Sequence, residues 1–117
     1  MKKNKTFFES VKYAAEGLIK AYKEEKNFKI YTGLLIGFGI INFIIGIDTV
    51  YWMIYLMCGL IAFSAECFNT AIERICDFLT NEKDDRIKDI KDIAAGAVLY
   101  TGIIYFTIEG IIIYINL

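Results

Sequence analysis

The chain has 117 residues, 56% of them hydrophobic, and no proline; that length suits one compact unit, and no ordinary soluble domain of this size needs so much apolar surface. Its 13 Lys and Arg against 14 Asp and Glu leave a net charge of −1. No nucleic-acid partner is expected, and the absence of histidine excludes His-based catalysis. The charges are unevenly placed: every Lys and Arg lies within Lys2–Lys29 or Arg74–Lys91.

Lys2–Lys5 form a short polar lead. Thr6 is a candidate helix cap, with Glu9 three residues on completing a capping box. From there Phe7, Val11, Ala14, Leu18 and Tyr22 share one face, and Glu9, Lys12, Glu16, Lys20 and Lys23 the opposite one. This predicts an amphipathic helix over about 6–27, too polar to span a bilayer and suited to its interface. Residues 30–47 are uncharged and long enough for a first span. Within them Gly33 and Gly37 form a Gly-x-x-x-Gly pair, which permits close helix approach. Gly46 and Asp48 mark a short turn. A second apolar run over about 49–70 opens with Tyr51 and Trp52, aromatic residues suited to a membrane interface.

Residues 80–89 are a charged connection, and a third span follows over about 92–115. Past Asp92 only Glu109 interrupts it. That residue lies about 27 Å beyond Lys91 along a helix and reads as a snorkelling acid at the far interface. Cys58, Cys67 and Cys76 alternate between opposite helix faces, so they read as small apolar side chains, not as a disulfide or a metal site. The positive-inside rule puts the N-terminus and the 74–91 region in the cytoplasm, and the 46–51 turn and the C-terminus outside. No secretory signal is expected, because the first long apolar run starts late and lacks a cleavage site of small residues.

The second span runs directly into Ala65-Glu66-Cys67-Phe68-Asn69-Thr70-Ala71-Ile72-Glu73-Arg74-Ile75-Cys76-Asp77. On one continuous helix, Glu66, Asn69, Glu73 and Asp77 fall on a common stripe about 16 Å long, and Gly59 and Ala62 extend it backwards. A carboxylate so close to a membrane span is costly, which points to function. Phosphoryl transfer needs a divalent cation, cationic contacts to phosphate and an oriented hydroxyl. Mg²⁺ takes hard oxygen ligands, often only one or two from protein, and Glu25 and Glu73 can supply them. Lys91 can meet phosphate as a point charge. Glu66 is the acid nearest the apolar zone and is best placed to act as general base on a lipid hydroxyl. There is no Gly-x-x-x-x-Gly-Lys-[Ser/Thr] run, so a nucleotide would be held by side chains and metal.

The stretch Glu66 to Asp77 resembles the signature Glu-x-x-Asn-[Ser/Thr]-Ala-Ile-Glu-x-x-x-Asp of the small bacterial membrane diacylglycerol and undecaprenol kinases. Two further stretches resemble that family in order: Glu24-Glu25-Lys26-Asn27-Phe28-Lys29 before the first span, and Lys91-Asp92-Ile93-Ala94-Ala95-Gly96-Ala97-Val98 opening the last. The resemblance implies that Glu66 is the catalytic acid-base residue and that Asn69 orients the reacting groups. It implies that Glu25 and Glu73 bind Mg²⁺ with ATP, and that Tyr13, Glu82, Lys91 and Asp92 contact the nucleotide. Asp77 matches the acid that ends the signature. Thr6 stands where some members carry arginine, Ala15 where the diacylglycerol kinases carry tryptophan, and Asp84 where histidine is common. The Glu-Glu-Lys-Asn-Phe-Lys-Ile stretch is closer to the undecaprenol kinase branch.

The expectation is therefore an all-α membrane protein with three transmembrane helices and an N-terminal surface helix, forming a single unit over residues 1–117. It would sit multi-pass in the bacterial cell membrane with its active site cytoplasmic, and phosphorylate a membrane lipid alcohol, undecaprenol before diacylglycerol. The resemblance implies a homotrimer with shared active sites, and the small-residue stripe through Gly59 and Ala62 invites a neighbouring chain. A pore or transport subunit is the rival from another class, since carboxylates also line ion paths. Against it, the charges cluster at one end. A purely structural subunit would leave Glu66 unexplained.

Overall fold

The structure, a computed structural model, describes residues 6–117; the polar lead Lys2–Lys5 lies outside them. The described residues form four helices: α1 (Phe7–Glu24), α2 (Lys26–Ile45), α3 (Thr49–Leu79) and α4 (Asp85–Asn116). α2, α3 and α4 are each long and apolar enough to cross a membrane.

Thr6 caps α1, its Oγ1 accepting the Glu9 N–H at 3.2 Å. The helix stops at Glu24, short of the expected 27, because Glu25 takes an extended backbone (φ −112°, ψ 121°) while its own N–H closes the last turn on Ala21 O at 2.8 Å. That single extended residue is an elbow. It lets Phe28 drop into the bundle, where it is 1% exposed and packs edge-on against Phe63 at 5.1 Å. Along α1, by contrast, Phe7, Phe8, Leu18 and Ile19 are all exposed.

Gly46 ends α2 in the left-handed region (φ 80°, ψ 50°), donating its N–H to Asn42 O at 3.0 Å. Glycine is the residue that adopts this conformation without steric cost. α3 and α4 outrun the apolar segments the sequence marks. α3 continues from Thr70 to Leu79, and α4 begins at Asp85 where the span was expected at about 92. Asp84 starts α4 by accepting the Arg86 N–H at 2.9 Å, and Lys88 pairs with Asp92 one turn on at 2.6 Å. Such caps and i,i+4 pairs sustain helix outside the apolar zone.

The core gathers Tyr55 and Ala62 of α3, Tyr105 and Ile112 of α4, and Ile47 of the turn. The Tyr55 hydroxyl donates to the Leu35 carbonyl. Gly59 permits the close approach, because a Cβ there would stand 2.7 Å from Leu35 Cδ1 and 3.1 Å from the Tyr105 ring. So the small residues Gly59 and Ala62 are buried against this chain's own helices and do not wait for a neighbouring one. Gly33 and Gly37 differ, with nothing within 4 Å of either position.

Glu109 overturns the sequence expectation. It is 1% exposed, and Asn42 Nδ2 of α2 donates to its Oε1 at 2.9 Å. Glu109 lies one turn beyond Tyr105 and three residues before Ile112, both core-facing, so the helix rotation aims it inward and away from the interface.

Candidate active site

The expected stripe of carboxylates and amide lies on α3. Glu66 is 2% exposed. Its Oε1 accepts Asn27 Nδ2 from α2 and Thr70 Oγ1 from the next turn, each at 3.4 Å. Asn69 donates from Nδ2 to Glu73 Oε1 at 2.7 Å, again one turn on. Glu66 Oε2 and Asn69 Oδ1 are buried without a hydrogen-bond partner, as are Asn42 Oδ1 and Glu109 Oε2 deeper in the bundle. Buried acceptors normally find a donor. What sets the first pair apart is its place on the stripe that leads into Glu73, where a hydroxyl, an amine or a cation from outside the chain can meet both oxygens.

Around this stripe the charged groups are already paired. Arg74 Nη2 meets Glu25 Oε1 at 2.9 Å and Glu24 Oε1 at 3.2 Å. Lys91 Nζ donates to Asp77 Oδ1 at 2.6 Å, tying α4 to α3. Beyond it the α3–α4 connection and the start of α4 form an open cavity of about 440 Å³ lined by Glu82, Lys83, Lys88, Lys91 and Asp92 among others. That volume falls within the range of small-molecule sites. A second cavity, about 450 Å³, lies between α1 and α3 and is lined by Tyr13, Phe28, Thr70 and Arg74 among others.

The sequence candidates therefore fall into connected groups. Glu66, Asn69 and Glu73 share one stripe; Glu82, Lys91 and Asp92 share one cavity; Asp77 bridges to that cavity through Lys91; Tyr13 faces the α1–α3 groove. Glu25 contacts Arg74. Among the described residues, no group of three or more acidic, Cys or His side chains is close enough to cage a metal. A hard cation sharing its shell with phosphate oxygens needs no such cage, and the carboxylates of Glu25 and Glu73 with the unmet oxygens near Glu66 are the right donor type. Three contributors carried no assigned role in the sequence reading: Asn27, Thr70 and Arg74. Thr70 was detectable from its i,i+4 spacing to Glu66. Asn27 and Arg74 act across helices, which no local spacing reveals.

The sequence profile of the prokaryotic diacylglycerol kinases matches residues 12–113. This chain belongs to that family. The undecaprenol kinase of Bacillus subtilis (strain 168) is 34% identical to it over 110 residues, covering 93% of this chain and 88% of the relative. As a member, this prokaryotic diacylglycerol kinase homologue is an ATP-dependent membrane lipid kinase and a multi-pass membrane protein. The pore and structural readings are set aside by that membership.

Proposed function

We propose that this kinase transfers the γ-phosphoryl group of MgATP to the hydroxyl of undecaprenol at the cytoplasmic face of the bacterial cell membrane. The observation that carries the chemistry is the pair of buried, unmet acceptors, Glu66 Oε2 and Asn69 Oδ1, on a helix that continues into the paired carboxylate Glu73. Glu66 Oε2 accepts the lipid hydroxyl proton as the oxygen attacks phosphorus, and ADP leaves. Asn27 and Thr70 hold the other Glu66 oxygen, which fixes the carboxyl's orientation. Asn69 orients Glu73 and offers Oδ1 to the reacting groups. Glu25 and Glu73 would hold Mg²⁺, whose charge would offset that of the phosphates. Lys91, Asp92 and Glu82 with Asp77, around the loop cavity, and Tyr13, in the α1–α3 groove, are the nucleotide contacts of this reading.

Undecaprenol is favoured over diacylglycerol because the Bacillus subtilis relative carries that name and because Ala15 replaces the tryptophan of the diacylglycerol kinases. The exposed Phe7, Phe8, Leu18 and Ile19 of α1 support a helix lying in the interface, with the whole of residues 1–117 acting as one unit around spans of about 30–47, 49–70 and 92–115. The open Gly33 and Gly37 positions support close contact with a second copy, as in a homotrimer. The deciding assay offers undecaprenol and diacylglycerol together, in one micelle, to the purified protein with labelled ATP. Preferential label in undecaprenyl phosphate is expected; preferential phosphatidic acid would reassign the substrate.

A further inference from the structure

Arg74 has no part in the mechanism above, yet it holds a residue that does. Its Nη2 spans from α3 to the elbow and contacts Glu25 Oε1 at 2.9 Å and Glu24 Oε1 at 3.2 Å. The arginine is 42% exposed, and half-exposed ion pairs contribute little to stability. The consequence of the pair is therefore positional. A guanidinium and a divalent cation compete for the same carboxylate, since each is drawn by its negative charge and the two repel each other.

The elbow geometry matters here. Glu25 is the one extended residue between α1 and α2, and Glu24 is the last residue of α1 beside it. Arg74 thus has two anchors on adjacent residues, only one of them needed by the metal. Glu73, by comparison, is held by a neutral amide, Asn69, which does not oppose a cation.

We propose that Arg74 is a positioning residue that latches Glu25 in the nucleotide-free kinase and shifts onto Glu24 when Glu25 turns to the metal. The latch keeps the Glu25 carboxylate near α3 without leaving it open to stray cations. Once released, the guanidinium stays tethered by Glu24 at the same end of the bundle as the incoming phosphates. This rests on the assignment of Glu25 as a metal ligand.

Binding of Mn²⁺ to the full-length protein in micelles, with a non-hydrolysable ATP analogue present to complete the metal's shell, tests it by electron paramagnetic resonance. Glu25→Gln should weaken Mn²⁺ binding to the protein–analogue complex; if it does not, the ligand assignment fails and the latch with it. Arg74→Gln should tighten binding about fivefold, because the competitor is gone. The same substitution in a Glu25→Gln background should change nothing. Glu24→Gln should weaken binding, because Arg74 then has Glu25 as its sole anchor. Lys23→Gln removes one positive charge from the last turn of α1, close to the elbow, without touching the latch and serves as the charge control. A gain from Arg74→Gln that persists without Glu25, or that Lys23→Gln matches, would reduce Arg74 to a general field effect and overturn the latch. So would no gain at all where Glu25→Gln does weaken binding.

Discussion

Glu66 and Glu109 are both buried glutamates in one small bundle, and they differ in what surrounds them. Glu66 keeps one oxygen on two long hydrogen bonds and leaves the other unmet beside Asn69. Glu66→Gln is nearly isosteric but cannot take the proton. It should leave nucleotide binding intact and lower turnover about 10²–10⁴-fold in a single-substrate kinase assay. Glu109 also leaves one oxygen, Oε2, unmet, but its Oε1 has a shorter bond, from Asn42, at the far end of the bundle from the proposed chemistry. Asn42→Leu should cost about 1–3 kcal/mol by stranding a buried acceptor. The double substitution Asn42→Leu with Glu109→Leu should recover most of that loss, because both polar groups are then gone. Unfolding in mixed micelles measures each. The Glu66–Asn69–Glu73 stripe proposed for catalysis was legible as a shared face because i, i+3 and i+4 spacing is a property of one helix. Glu109 was misread because its depth along α4 is countable from the sequence, whereas its inward rotation depends on where Tyr105 and Ile112 pack.

Among the elements, α3 makes the tightest contacts and the most specific demands. Gly59→Ala would press a methyl to within 3.1 Å of the Tyr105 ring and 2.7 Å of Leu35 Cδ1. The leucine end can swing aside, while the ring, packed beside Tyr55 and Phe38, has less room. The expected cost is about 1–3 kcal/mol in the same micelle unfolding measurement, with the fold retained. The start of α4 behaves differently because its cap is ionisable. The Arg86 side chain, helped by the Arg86 backbone N–H, holds the Asp84 carboxyl below its ordinary value of 3.8. A lowered carboxyl adds stability above its ordinary range, and that contribution is lost as pH falls through the lowered value. The Arg86 amide resonance should therefore titrate with a midpoint below 3.8; a midpoint at or above it would contradict the cap's role. The three long helices were readable from apolar length and α1 from its two faces. Helix ends were not, because Asp84, Glu25 and the Lys88–Asp92 pair set them through backbone geometry and ionic contacts outside the apolar runs.

For the whole molecule, the number of chains that build one site is measurable by mixing inactive variants. Within one chain, Lys91 is engaged by Asp77 and Glu25 by Arg74. Glu66→Gln and Lys91→Ala subunits, each inactive alone, should regain part of the wild-type activity when denatured together and refolded as mixed oligomers. No recovery at any ratio, with mixing verified by crosslinking, would mean that each site draws both groups from one chain. Oligomeric contact is also what a single sequence expresses least, since Gly33 and Gly37 look alike whether lipid or protein meets them. One feature of the single chain reaches further. α3 has 31 residues and is about 46 Å long, against a hydrocarbon layer of about 30 Å. It carries Glu66 and Glu73 on one unbroken rod whose lower part is the membrane span. The height of Glu66 above the bilayer midplane is therefore set by the same rod that must match the bilayer's thickness. A membrane that thins or thickens would lower or raise that carboxyl relative to the headgroups, so under the proposed mechanism host-lipid chain length would govern how readily a lipid hydroxyl comes within reach.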